Sequence, residues 1–200
     1  NKVIIKKEYK KLKQFVNIAV AGTEKHIGVT TQAILITMFL KSLNMNACYI
    51  CSNDKNEVKN LEKLDGVVKK NGFFSYNGID LYSNDSKIDA MQYGYDFYIY
   101  DYGVLDESTL DNFMSKEVKV IVGGTKPWEY DDTFRAIFLL KEMQDINYIF
   151  NFASNQEKAK IRKLLSKVIK HIYFSDYTTD TFNNNINAET YHEIFNKEYL

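Results

Sequence analysis

Between Phe15 and Phe174, short apolar runs alternate with stretches whose apolar residues recur at helical spacing. The runs are Phe15–Ala21, Asn46–Cys51, Asp96–Tyr100, Val118–Val122, Ile146–Phe152 and His171–Phe174. They are largely continuous in hydrophobicity, as expected of strands covered on both faces; a strand with one wet face alternates instead. Helical spacing covers about 30–43, 53–64, 88–93, 105–114, 127–142, 155–169 and 188–199. This order predicts an α/β fold of three layers, a mostly parallel sheet with helices on both faces. One departure is local: 73–83 reads FFSYNGIDLYS, and Asn77-Gly78 between two β-type runs predicts a hairpin with a type I′ turn.

A chain of 200 residues fits one domain with a substantial core. The expected division is a basic leader or edge strand over 1–14, holding Lys2, Lys6, Lys7, Lys10, Lys11 and Lys13, and a single domain over 15–200. The first residue is Asn, so the sequence reads as a piece of a longer protein. Lys+Arg and Asp+Glu are both 26, and no global field draws the chain to nucleic acid or anionic lipid. The longest apolar stretch, Ala33–Leu43, is shorter than the ~20 residues a bilayer span needs, so no membrane segment is expected. Ala188–Leu200 is too short and too mixed in charge for an interfacial membrane helix. Two cysteines give no disulfide framework and fit a reducing cytoplasm, and heavy use of Asn, Lys, Ile and Tyr fits an AT-rich bacterial genome.

In an open parallel sheet, ligands bind beyond the carboxyl ends of the strands. The first strand ends in Ala21-Gly22-Thr23, and Gly28 precedes a helix. Strand, glycine loop and helix form a phosphate-binding layout, in which backbone N–H groups and the helix N-terminus face an anion. The candidate nucleotide-binding residues are Gly22, Thr23, Lys25, His26, Gly28, Val29, Thr30 and Thr31. The Thr30 hydroxyl suits either a magnesium ligand or a helix N-cap. Hydroxyls, carboxylates and amides gather on the same rim at Cys51–Asp54, Asp101–Gly103, Gly123–Lys126 and Asn151–Ser154. Asp101 suits a magnesium-shell carboxylate or an acceptor of backbone N–H bonds. Cys48 and Cys51, three apart on a strand, point to opposite faces and read as core thiols rather than a metal or redox pair. The histidines fit no metal spacing, although His26 lies in the loop and could donate to an anion when protonated. Trp128, at a helix start, is either an interface anchor or a packing residue.

These features resemble the ParA/MinD branch of the P-loop ATPases, whose first loop reads K-G-G-V-G-K-T-T. Without a gap that loop falls on Glu24-Lys25-His26-Ile27-Gly28-Val29-Thr30-Thr31. The family's first lysine, which reaches across a dimer, is Glu24 here, and the second, which grips the phosphates, is Val29. Tyr95–Asp101 resembles the family's second nucleotide motif, whose final carboxylate meets magnesium through water. Asn151 stands where the family places an adenine-recognising asparagine, and Phe174–Tyr177 stands at the adenine-side loop. The family's water-orienting aspartate has no match in register, and Asp54 is the nearest carboxylate.

The resemblance implies ATP or ADP with Mg²⁺ as cofactor, held by Thr30 and Asp101, with Asp101 and Asp54 as the catalytic carboxylates. It also implies a homodimer and a protein partner; the balanced charge gives no strong nucleic-acid signal. Loss of both lysines points to a degenerate site and a regulatory or assembly and localisation role, as in relatives serving secretion or mobile elements. Two rivals remain at this stage. One is an active ATPase that uses Lys25 or Lys126 as its cation. The other is a nucleotide-independent protein scaffold centred on Trp128.

Overall fold

The computed structural model describes residues 15–53, 57–143, 145–182 and 186–199. The leader expected over 1–14 and the candidate carboxylate Asp54 lie outside the described residues. In chain order the elements are β1 (Val16–Gly22), α1 (Val29–Ser42), β2 (Ala47–Cys51), β3 (Val68–Lys70), β4 (Phe73–Tyr76), β5 (Ile79–Tyr82), α2 (Lys87–Tyr93) and β6 (Phe97–Val104). They continue with α3 (Glu107–Met114), β7 (Val118–Gly123), α4 (Tyr130–Leu139), β8 (Ile146–Phe150), α5 (Asn155–Leu165), β9 (His171–Phe174) and α6 (Ala188–Tyr199). The nine strands among the described residues join one sheet in the order β3-β4-β5-β2-β6-β1-β7-β8-β9. From β5 to β9 neighbouring strands are parallel; β3, β4 and β5 are antiparallel to one another.

The sheet carries apolar side chains on both faces, which is why its strands show no alternation. On β1, Ile18 and Val20 face the cluster formed with α1 and α6, while Ala19 and Ala21 face the cluster formed with α2 to α5. β6 repeats this, with Phe97 and Ile99 on the α1 side and Tyr98 and Tyr100 on the other. The same two-residue period places Asp101 under the start of α1. Cys48 and Cys51 fall in opposite clusters as free, buried thiols. Burial, with Asp80 next, pushes the Cys48 thiol far above its ordinary value and keeps it protonated.

The hairpin turn has positive φ at Asn77 (47°) and Gly78 (82°), the signature of type I′. The structure differs from the sequence expectation at three places. The stretch expected to be helical over 53–64 is a 3₁₀ helix, Glu57–Lys63, among the described residues. The 127–142 stretch opens as a 3₁₀ turn, Pro127–Glu129, before α4. β3 was not expected, because Val68-Lys69-Lys70 is exposed and carries no apolar pattern. It forms by pairing its backbone with β4, and Lys69 and Lys70 lie over the rings of Phe74 and Phe73 at 5.8 and 5.1 Å. Lysines on such an edge discourage pairing with another chain.

Candidate nucleotide site

β1 is a central strand, between β6 and β7, and its carboxyl end opens into the loop 22–28 that leads to α1. Gly28 turns left-handed at φ 96°, and a Cβ there would lie 2.6 Å from Asn151 Nδ2. Glycine is required on both counts. Gly22 is constrained by packing, since methyls of Val29 and Ile27 already occupy the place of a Cβ. Val29 is therefore a core residue beneath the loop, buried to 7% exposure, and offers no cation where the family's lysine would stand. Thr23 is buried, donates its backbone N–H to Val122 O (3.0 Å) and sets its hydroxyl 3.5 Å from that of Thr133. Lys25 and His26 are exposed, and His26 holds a left-handed φ of 63°.

The carboxylate behind the loop is fully buried. Asp101 accepts hydrogen bonds from Thr30 Oγ1 at 2.7 Å, Tyr49 OH at 2.7 Å and the Gly103 amide at 2.9 Å. Asn53 Nδ2 stands 3.5 Å away. Gly103 reaches its position through a φ of 68°. Burial first, and then the adjacent Asp101 carboxylate, push the Tyr49 phenol well above its ordinary value, so it remains a donor. Thr30 and Asp101, far apart in sequence, are thus brought into direct contact. A hydroxyl beside a carboxylate at the foot of an anion loop fits a hydrated Mg²⁺ held in part by phosphate oxygens. Among the described residues no three His, Cys, Asp or Glu side chains gather as they would around a metal ion.

The outer flank of the loop is chemically different. Glu24, Lys25, His26, Asp106, Asp132 and Arg135 line an open cleft of about 730 Å³ on the loop's outer flank. Burial, followed by Glu129 and Asp132, raises the Glu24 carboxyl above its ordinary value, and its Oε1 is buried with no hydrogen-bond partner. Lys126 is committed elsewhere. Its ammonium binds Glu157 Oε1 and Oε2 at 2.8 and 3.0 Å and the Phe152 carbonyl at 3.1 Å, bridging the loops after β7 and β8.

Lys126, followed by Ser154, pulls Glu157 down to about 2. A carboxyl with a lowered folded-state pKa adds stability above its ordinary 4.5, and that stability is lost as pH falls from 4.5 toward 2. Lys126→Met should therefore lower neutral-pH stability by about 1 kcal/mol and flatten urea-unfolding midpoints across that acid window. Equal acid slopes for the two proteins would mean the pair is not formed.

Asn151 is 4% exposed and does not project into open space. Its Nδ2 donates to the Ile27 carbonyl at 2.7 Å, and its Oδ1 accepts from Gln32 Nε2 at 3.0 Å. Gln32 carries no motif signal; its only sequence mark is being polar on the buried face of α1. Trp128 is 77% exposed, and Phe152 and Tyr177, in contact at 5.8 Å, are exposed on the same rim.

A glycine loop from a central parallel strand into a helix, with a threonine on an aspartate of the neighbouring strand, gives this chain the architecture of a P-loop NTPase. No protein-family model matches the sequence, and no curated protein matches it. Solved structures do match. A plasmid partition protein from Borrelia burgdorferi bound to AMPPNP is 15% identical, with a TM-score of 0.61 over 91% of this chain and 98% of that one. A ParA family ATPase from Chlorobium tepidum is 14% identical, with a TM-score of 0.55 over 82% and 86%. The MinC:MinD cell division complex of Aquifex aeolicus matches at 15% identity, with a TM-score of 0.56 over 78% and 79%. The chain therefore has the fold of the ParA/MinD-type P-loop ATPases.

Proposed function

We propose that the chain is a ParA/MinD-like module with weak nucleotide binding and little hydrolysis, acting in regulation or in assembly and localisation of a larger machinery. One observation carries this reading: Glu24 and Val29 occupy the two lysine positions, while Thr30 and Asp101 remain in contact. Thr30 and Asp101 would hold magnesium, and Gly28 and the N-terminus of α1 would face the phosphates. Bound Mg²⁺ would neutralise phosphate charge; the chain's own contribution is to place the hydroxyl and to fix the carboxylate through Tyr49 and Gly103. Nothing in the loop compensates for the Glu24 charge except the exposed Lys25 and His26. A homodimer and a protein partner on the rim belong to the same reading, MinD being solved with MinC. No described helix is long and apolar enough to cross a membrane.

Isothermal titration with ATP and ADP in the presence of Mg²⁺, alongside phosphate release, tests the proposal. Dissociation constants near millimolar and turnover well below the ~1–100 s⁻¹ of phosphoryl-transfer enzymes such as kinases are expected. Micromolar binding with rapid turnover would overturn it in favour of an ATPase using Lys25. The exposure of Trp128 favours a second reading, a partner-binding rim that works without nucleotide. In that case Trp128→Ala abolishes partner capture, and added ATP leaves the binding curve in place.

A further inference from the structure

Asn151, Gln32 and Tyr191 come from three separate elements and form one buried chain of hydrogen bonds. Tyr191 OH, on α6, donates to Gln32 Oε1 at 2.8 Å. Gln32 Nε2, on α1, donates to Asn151 Oδ1 at 3.0 Å and to Ser175 Oγ at 2.8 Å. Asn151 Nδ2, after β8, ends the chain on the Ile27 carbonyl inside the loop. Gln32 is 1% exposed and Tyr191 fully buried, so water does not substitute for these partners. Burial pushes the Tyr191 phenol up, which keeps it protonated and able to donate at neutral pH.

We infer that Asn151 is a positioning residue for the loop 22–28, and that its carboxamide is aimed by a relay from α6 through Tyr191 and Gln32. An amide has one oxygen and one nitrogen end. With Gln32 donating to Asn151 Oδ1, Asn151 must turn Nδ2 toward the loop, where a carbonyl is waiting. Tyr191 anchors Gln32 by donating to its oxygen, which leaves Gln32 Nε2 for Asn151 and Ser175. Reversing Asn151 would set donor against donor at Gln32 and acceptor against acceptor at Ile27, and reversing Gln32 would set acceptor against acceptor at Asn151. Gly28 leaves the space that the Asn151 amide fills, so the clamp and the left-handed turn are fitted to each other. One donor and one acceptor of the Asn151 amide are thus engaged inside the fold, and the side chain is 4% exposed. The C-terminal helix thereby sets the order of a loop more than 150 positions away in sequence.

Hydrogen–deuterium exchange of the whole chain without ligand tests this directly. Tyr191→Phe keeps the ring against Phe39 and deletes only the donor, and Gln32→Met keeps the stem and deletes both polar ends. Each should speed exchange at amides 24–28 by about fivefold, the factor one lost hydrogen bond produces, while β2 and α4 keep wild-type rates. Phe195→Leu loosens the packing of α6 on Phe39 without touching the relay, and should speed exchange in α6 only. Loop exchange within about twofold of wild type in both relay variants would overturn the inference. So would an equal loosening of the loop by Phe195→Leu. A second arm rests on the nucleotide reading above: ADP with Mg²⁺ should bind Tyr191→Phe several-fold more weakly than wild type. If neither protein binds ADP, that reading fails, and the exchange data still decide the relay.

Discussion

Asp101→Ala should lower the unfolding free energy by about 3–5 kcal/mol, a large fraction of the ~5–15 kcal/mol typical of a domain. The carboxylate is fully buried and takes hydrogen bonds from Thr30, Tyr49 and the Gly103 amide. Alanine leaves three donors facing a cavity, and each unsatisfied buried group costs about 1–3 kcal/mol before local relaxation. The Tyr49 phenol cannot escape by ionising, because burial holds it well above its ordinary value. For a chain of this length the melting temperature should fall by roughly 10 °C.

Asp101→Asn separates the packing role from the charge. Its amide oxygen can still accept from Gly103, and the hydroxyls of Thr30 and Tyr49 can rotate to accept from its nitrogen. A loss of about 1–2 kcal/mol is expected in urea unfolding. If Asp101 also orders magnesium, both variants should lose any stabilisation by ADP that depends on Mg²⁺. An unchanged unfolding midpoint in Asp101→Ala would contradict the bonding described here.

The architecture was legible in the sequence because burial of a sheet on both faces leaves a direct mark. β1, β2, β6, β7, β8 and β9 were all marked by apolar runs, and Asn77-Gly78 marked its hairpin. β3 left no trace because its pairing uses backbone groups that every residue carries. β6 continues past Asp101 to Val104 through a register shift against β1, with Gly103 at a positive φ, an irregularity that one letter in a sequence does not declare. Thr30 and Asp101, which the structure brings into contact, each carry a sequence mark, one before an apolar helical pattern and the other after an apolar run. Gln32 and Tyr191 carry no such mark, since a buried polar residue within an amphipathic pattern looks like a lapse in the pattern until its partners are known. Asn151 was placed on the correct strand end, but its amide turns to Ile27 and Gln32. A motif letter fixes where a side chain starts and leaves its hydrogen-bond partners open.

Glu24→Lys should tighten ADP·Mg²⁺ binding by at least tenfold, and adding Val29→Lys should extend the gain toward a hundredfold. A carboxylate about 4 Å from a phosphate charge opposes it by ~4 kcal/mol at an effective dielectric of 20. Tenfold is about 1.4 kcal/mol, so the expected gain asks for only part of that term. Glu24 is also uncomfortable without ligand, since burial, Glu129 and Asp132 all raise its carboxyl above 4.5. A carboxyl raised in the folded state binds its proton more tightly there than in the unfolded chain, so stability falls as pH rises through the window above 4.5. Glu24→Gln should remove that decline, and Glu24→Lys should replace it with attraction to the same two carboxylates. Val29→Lys carries an opposing cost, because Val29 is buried against Gly22 and a longer stem must displace neighbouring methyls. Overpacking of this kind costs about 1–3 kcal/mol, so the double variant should bind best while melting earlier than Glu24→Lys alone. Calorimetric titration of the four proteins, with thermal melts on the same samples, reads both effects. Affinities that stay within threefold of wild type would mean that charge in the loop is not what weakens this site.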